Sequence, residues 1–175
     1  MNYASIRNCD IANGEGVRVS LFVSGCRHHC KGCFNEEAQA FDYGEPFTRE
    51  TEDGILRMLE PAHIAGLTIL GGEPMEPENQ RALVPFLKRL ERFSGAKSVW
   101  VYTGCIYERL KGGADSADAE RRDYPWRCEV TDDFLSCIDV LVDGPFIEEL
   151  KDISLRFRGS SNQRILELKK QIAVR

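Results

Sequence analysis

No stretch of the 175-residue sequence is apolar for the roughly 20 residues that a membrane-spanning helix needs, so no such helix is expected. The first residues, MNYASIRNCD, lack a basic segment followed by an apolar one, so the sequence reads as cytoplasmic and not secreted. An excess of positive charge is missing too. Twenty-three Lys and Arg against 28 Asp and Glu give a formal charge of -5, which argues against a broad nucleic-acid surface. Histidine is scarce, at three residues, and His63 has no acid-base neighbour in the sequence, so a solvated or packed role is expected for it. Internal repeats and low-complexity segments are absent. What remains is ordinary globular composition, 42% hydrophobic and 29% charged, in a length that fits one domain over residues 1–175.

Short apolar runs punctuate the chain. Residues 17–24 (VRVSLFVS), 67–70 (LTIL), 98–102 (SVWVY) and 137–142 (CIDVLV) suit strands. Between them, Thr51 followed by Glu52 and Asp53 resembles a helix start, with Ile55, Leu56 and Leu59 on one face before Pro61. Leu83, Phe86, Leu87, Leu90 and Phe93 recur at helical spacing, although Pro85 must either mark the helix start or kink it. Residues 111–125 lack periodicity and read as a long surface loop, and residues from about 150 to 175 as a C-terminal extension. Strands alternating with helices predict an α/β fold with a mainly parallel sheet, whose active groups collect at strand exits. The Asn13–Gly16 turn ahead of the first strand is expected to be structural.

Seven cysteines are many for this length, but the number is odd and the expected compartment reducing, which disfavours a disulfide framework. Cys26, Cys30 and Cys33 crowd into one polar loop, CRHHCKGC, whereas Cys9, Cys105, Cys128 and Cys137 are scattered and expected to be unliganded. Three thiolates spaced in this way can converge on a soft metal centre if the loop folds back. An iron-sulfur cluster held by three cysteines would leave one iron open. Structural zinc would want a fourth ligand, which His28 or His29 could supply. Spacing and ligand chemistry leave both open. Arg27 and Lys31 add positive charge beside whichever centre forms. Trp100, Phe134 and Phe146 are expected to pack in the core.

The cysteine loop directly follows the first expected strand and precedes a Gly-Gly-Glu strand exit. In this arrangement the chain resembles the radical S-adenosylmethionine superfamily. The stretches NCDIANGEGVRVSLFVSGC, CKGCFN, LTILGGEP, VWVYTG, DVLVDGPF and LRFRGSSNQRI are similar to those of one branch, the activating enzymes of anaerobic (class III) ribonucleoside-triphosphate reductase. Many superfamily members carry an aromatic residue just before the third cysteine; here Gly32 stands there and Phe34 follows the cysteine.

The resemblance implies a partial (β/α) barrel and a [4Fe-4S] cluster on Cys26, Cys30 and Cys33. It implies S-adenosylmethionine as cofactor, bound near Gly71, Gly72, Glu73, Thr103 and Asp143, with the Gly-Gly-Glu segment at the methionyl ammonium. The implied partners are the large subunit of the reductase, which would receive a glycyl radical, and an external reductant such as flavodoxin. Neither nucleic acid nor membrane is expected as a partner, and a homodimer is left open. The arginines from Arg156 to Arg164 are candidates for docking the reductase. Two alternatives stand beside this reading: activation of another glycyl-radical enzyme such as pyruvate formate-lyase, and a non-catalytic, zinc-stabilised partner-binding module.

Overall fold

The computed structural model describes residues 1–93, 97–111 and 125–169, so most of the loop at 111–125 and the end of the basic tail, Lys170 and Arg175, lie outside the described residues. A hairpin comes first, β1 (Asn2–Asp10) and β2 (Val17–Val23), then β3 (Glu45–Pro46), α1 (Arg49–Leu59), β4 (Ile64–Gly71) and α2 (Pro77–Phe93). The remainder is β5 (Ser98–Tyr102), α3 (Tyr107–Leu110), α4 (Thr131–Ser136), β6 (Val140–Asp143) and β7 (Arg164–Glu167).

The strands form one sheet in the order β3-β1-β2-β4-β5-β6-β7. The pairs β2–β4, β4–β5 and β5–β6 are parallel, while β3–β1, β1–β2 and β6–β7 are antiparallel. The α/β class is as expected, but the sheet is mixed and not mainly parallel, and among the described residues its strand order runs open from β3 to β7. The reason is local. The short 11–16 connection cannot carry a parallel crossover, so β1 must return against β2. Among the described residues no helix is long and apolar enough to cross a membrane.

The parallel strands carry the core. Leu67 and Ile69 of β4, Val101 of β5 and Leu141 of β6 are fully buried, as expected of strands covered on both faces. The cap of helix α1 lies three residues before the expected Thr51. It is Thr48, and Thr51 reaches back from the third helical position to complete a capping box. Its apolar face, Ile55, Leu56 and Leu59, is buried as expected. Helix α2 begins at Pro77, where the missing N–H costs nothing, and runs through Pro85. Leu83, Phe86, Leu87 and Leu90 of α2 are buried. Cys137 ends α4 and does not begin a strand; β6 starts only at Val140, after the Asp139 carboxylate has accepted the Val99 N–H at 2.6 Å. Trp100 and Phe134 are buried as expected, whereas Phe146 lines the cavity described below.

Candidate active site

The exits of β2, β4, β5 and β6 meet at one end of the sheet. Gly71 leaves β4 with φ +110°, a conformation open to glycine, while its Cα approaches the Val23 backbone. The next two N–H groups donate to strand β2 and its exit, Gly72 to the Val23 carbonyl at 2.7 Å and Glu73 to the Gly25 carbonyl at 2.8 Å. Asn79 of α2, fully buried, donates to both the Ser24 and Glu73 carbonyls at 3.0 and 2.9 Å. These bonds fix the Gly-Gly-Glu segment alongside the start of the cysteine loop.

The loop folds back as three soft ligands require. Gly25, His29 and Gly32 take positive φ angles of 94°, 48° and 70°, and the Cys33 N–H donates to the Cys30 carbonyl at 3.2 Å. Cys26, Cys30 and Cys33 are free thiols lining one cavity of about 500 Å³. Burial pushes the Cys26 thiol up to about 12, helped by the charges of Glu73 and Glu76. Burial likewise raises the Cys30 thiol, with Cys33 adding to it. A cation at these sulfurs would supply what the protein alone withholds from the thiolates.

Two glutamates from the segment after β4 clasp the loop. Glu76, 1% exposed, accepts the Arg27 backbone N–H at 2.7 Å and pairs with the Arg27 guanidinium, which also reaches Glu78 at 2.7 Å. Glu73, also 1% exposed, accepts four bonds: Met75 N–H at 2.8 Å, the Thr103 hydroxyl at 2.7 Å, Gly104 N–H at 2.8 Å and His28 Nε2–H at 2.7 Å. Burial opposes protonation of His28, but its bond to Glu73 and the charges of Glu73 and Glu76 outweigh this and raise its pKa.

Gly71, Gly72, Glu73 and Thr103 line the same cavity as the cysteines, so the structure brings together seven of the eight residues expected there. Asp143 is the eighth. It is fully buried at the β6 exit, but its carboxylate accepts Arg164 Nε at 2.9 Å and Tyr107 N–H at 2.9 Å, and its neighbour Gly144 faces the cavity instead. Arg164 also pairs with Glu108 at 2.7 Å, and Arg158 donates to the Gln163 carbonyl at 2.9 Å, so these two of the tail arginines considered for docking are bonded within the protein, while Arg156 lies over the Phe157 ring.

Two further parts of the cavity lie outside the eight residues expected to form it. One is the hairpin, which presents Ala12 and Asn13. It is held by a relay in which Arg18, 1% exposed, donates to the Thr68 hydroxyl at 2.7 Å, and Thr68 donates to the Asn13 carbonyl at 2.7 Å. The other is the wall from Lys151 to Gln163, where Phe157 sits at φ +56° with its ring edge-on to Trp100. The LRFRGSSNQRI stretch was the available signal, but nothing in its composition points to a cavity.

The residues fit an iron-sulfur cluster better than zinc. Three sulfurs line an open cavity, and the histidines that would have closed a zinc site are engaged elsewhere, His28 Nε2 with Glu73 and His29 Nδ1 with Gln39 at 2.8 Å. The fold and the thiol loop are those of an iron-sulfur protein, and residues 12–166 match the 4Fe-4S single cluster domain family. The chain is also similar to the anaerobic ribonucleoside-triphosphate reductase-activating protein of Pasteurella multocida, at 42% identity over 167 residues, covering 94% of this chain and 96% of the relative. The protein of that description from Haemophilus influenzae is 41% identical over 171 residues, 97% of this chain and 99% of the relative. That of Enterobacteria phage T4 is 33% identical over 165 residues, 94% and 93%. The chain belongs to the family of anaerobic ribonucleoside-triphosphate reductase-activating proteins.

Proposed function

We propose that this protein activates an anaerobic ribonucleoside-triphosphate reductase by reductive cleavage of S-adenosylmethionine. The observation that carries the reading is one cavity lined by Cys26, Cys30, Cys33 and the Gly71–Gly72–Glu73 segment. A [4Fe-4S] cluster held there would supply the electron that breaks the sulfonium carbon-sulfur bond, releasing methionine and a 5'-deoxyadenosyl radical to take hydrogen from a glycine of the reductase. The three cysteines would hold the cluster without a fourth protein ligand, which leaves room for the cofactor. The Gly71–Glu73 backbone meets the methionyl ammonium, while the Glu73 carboxylate, already filled by four donors, orients that backbone. Thr103 positions Glu73, and Asp143 braces the β6 exit so that Gly144 borders the cofactor. This is a task of positioning and not of acid-base catalysis.

The electron comes from an external carrier such as a flavodoxin. Phe34 and Ile153, 85% and 95% exposed at the cavity, offer apolar surface that suits contact with the glycine-bearing segment of the reductase. The test is anaerobic reconstitution with iron and sulfide, followed by dithionite and S-adenosylmethionine. The expected results are 5'-deoxyadenosine, its loss in Cys30→Ala, and a glycyl radical on added reductase but not on added pyruvate formate-lyase. Tightly bound zinc without acid-labile sulfide would overturn the reading.

A further inference from the structure

His28 lies between the first two cysteines, and nothing in the proposed chemistry uses it. Yet it is one of the most constrained side chains near the cavity. Its ring stacks on Trp126 with centroids 4.3 Å apart and planes within 9°. Its edge meets Gly104 so closely that a Cβ there would lie 2.8 Å from His28 Cδ2. The side chain is 12% exposed, and its Nε2 lies 2.7 Å from a Glu73 carboxylate that is itself 1% exposed.

His28, Glu73 and Cys105 each offer a ligand atom within 4.8 Å of the others, which raises the question of a second metal site. The hydrogen bonds answer it. Four donors already converge on the Glu73 carboxylate, about as many as its two oxygens accept, and a cation would have to displace them. The cluster of groups is a joint. Through one carboxylate it ties the cysteine loop to the Gly-Gly-Glu segment and to the β5 exit.

The loop needs such a joint. Its left-handed residues Gly25, His29 and Gly32 keep it out of helix or sheet, so side-chain clasps substitute for a regular ladder. Arg27, largely exposed, contributes one clasp through Glu76; His28 contributes the buried one. We propose that His28 is a positioning residue whose Nε2–H bond to Glu73 holds Cys26 and Cys30 in ligating register against the Gly71–Glu73 segment, making the cluster site and the cofactor segment one mechanical unit. The identity of the cluster and cofactor rests on the function proposed above; the brace on the loop does not.

The test compares His28→Leu, which keeps bulk against Trp126 but removes the donor, with His28→Gln, which retains a side-chain N–H of similar reach. In cluster-free protein at one fixed pH, iodoacetamide labelling of Cys26 and Cys30 is followed by mass spectrometry, with thermal melting as the control for global folding. Loss of one buried, charge-assisted bond predicts labelling about tenfold faster or more in His28→Leu and close to wild type in His28→Gln. In reconstituted protein, iron loss to a chelator follows the same order. The change in the reduced cluster's electron paramagnetic resonance signal on adding S-adenosylmethionine weakens in His28→Leu and returns in His28→Gln. Equal labelling and iron loss in His28→Leu and wild type overturn the proposal, as does a His28→Gln variant that behaves like His28→Leu. Were wild-type protein to assemble no cluster, the function proposed above would fall while the labelling comparison still decided the brace.

Discussion

Replacing Gly72 with alanine tests how closely the cofactor segment and the cysteine loop are pressed together. A Cβ at Gly72 would lie 2.6 Å from the Gly25 carbonyl oxygen and 2.8 Å from that of Ala38. A comfortable carbon-oxygen contact is about 3.3 Å, so the overlap is roughly 0.7 Å. Both obstacles are backbone oxygens held by hydrogen bonds, that of Ala38 by the Gly25 N–H and that of Gly25 by the Glu73 N–H, each at 2.8 Å, so neither can swing aside. Relief must come from parting the loop from β4, which strains or breaks the Gly72-to-Val23 or Glu73-to-Gly25 bond. Overpacking of this kind costs about 1–3 kcal/mol and a lost hydrogen bond about 1 more, so the total is about 2–4 kcal/mol. For a chain of this length that lowers the melting temperature by about 5–15 °C. Thermal unfolding of cluster-free Gly72→Ala, followed by circular dichroism, reads the loss, and iron and sulfide content after reconstitution reads its effect at the cysteines. Gly54→Ala is the control. It lies within α1 with its nearest neighbour, Arg57 Nη2, 3.9 Å from the added Cβ, so it should melt slightly higher than wild type because alanine favours helix. If Gly72→Ala melted like wild type and bound a full cluster, the close approach would be wrong.

Three further outcomes follow from other contacts. Arg18→Met leaves the Leu67 and Ser98 carbonyls without the guanidinium donors that now sit at 2.8 Å, and breaks the relay to Asn13. A loss of about 3 kcal/mol or more is expected, read as a lower urea midpoint with unchanged slope. Asp143→Asn weakens the tie to Arg164 and should cost about 2 kcal/mol, while leaving the three thiols equally available to a labelling reagent. Asp10 concerns acid stability. Burial opposes its charge, but the neighbouring Ser20 hydroxyl and hydrogen bonds from the Ala12 N–H and the Asn13 amide hold its carboxyl below the ordinary 3.8. Between the folded value and 3.8 the unfolded chain binds more protons, so this stabilisation is complete above about pH 5 and disappears as pH falls through the folded value. Melting temperatures of wild type and Asp10→Asn should therefore differ at pH 6 and converge in strong acid; a gap independent of pH would refute the assignment.

The strands that bear the site were readable because burial on both faces demands apolar runs. LTIL and SVWVY are unmistakable for that reason. Strand β1, NYASIRNCD, is half-exposed and carries no comparable run, and β7, RILE, is mostly exposed, so neither announced itself. Missing both is what made the sheet look mainly parallel. Cysteine spacing and the Gly-Gly-Glu exit located the cavity because their chemistry is local. Asp143 stands at a genuine strand exit, but its direction is decided by Arg164, 21 residues away in sequence, which no local pattern reveals. Likewise Trp126 gave no hint that it would cover His28, since stacking joins residues with no spacing in common.

The wall from Lys151 to Gln163 has a consequence for how the molecule is made. The thiols precede this side of the cavity by more than 100 residues in sequence, so synthesis makes the ligands well before the wall that encloses them. Until that wall is made the sulfurs stand in a half-built chamber, open to oxidants and stray cations. Metal delivery is best timed to follow synthesis of the wall.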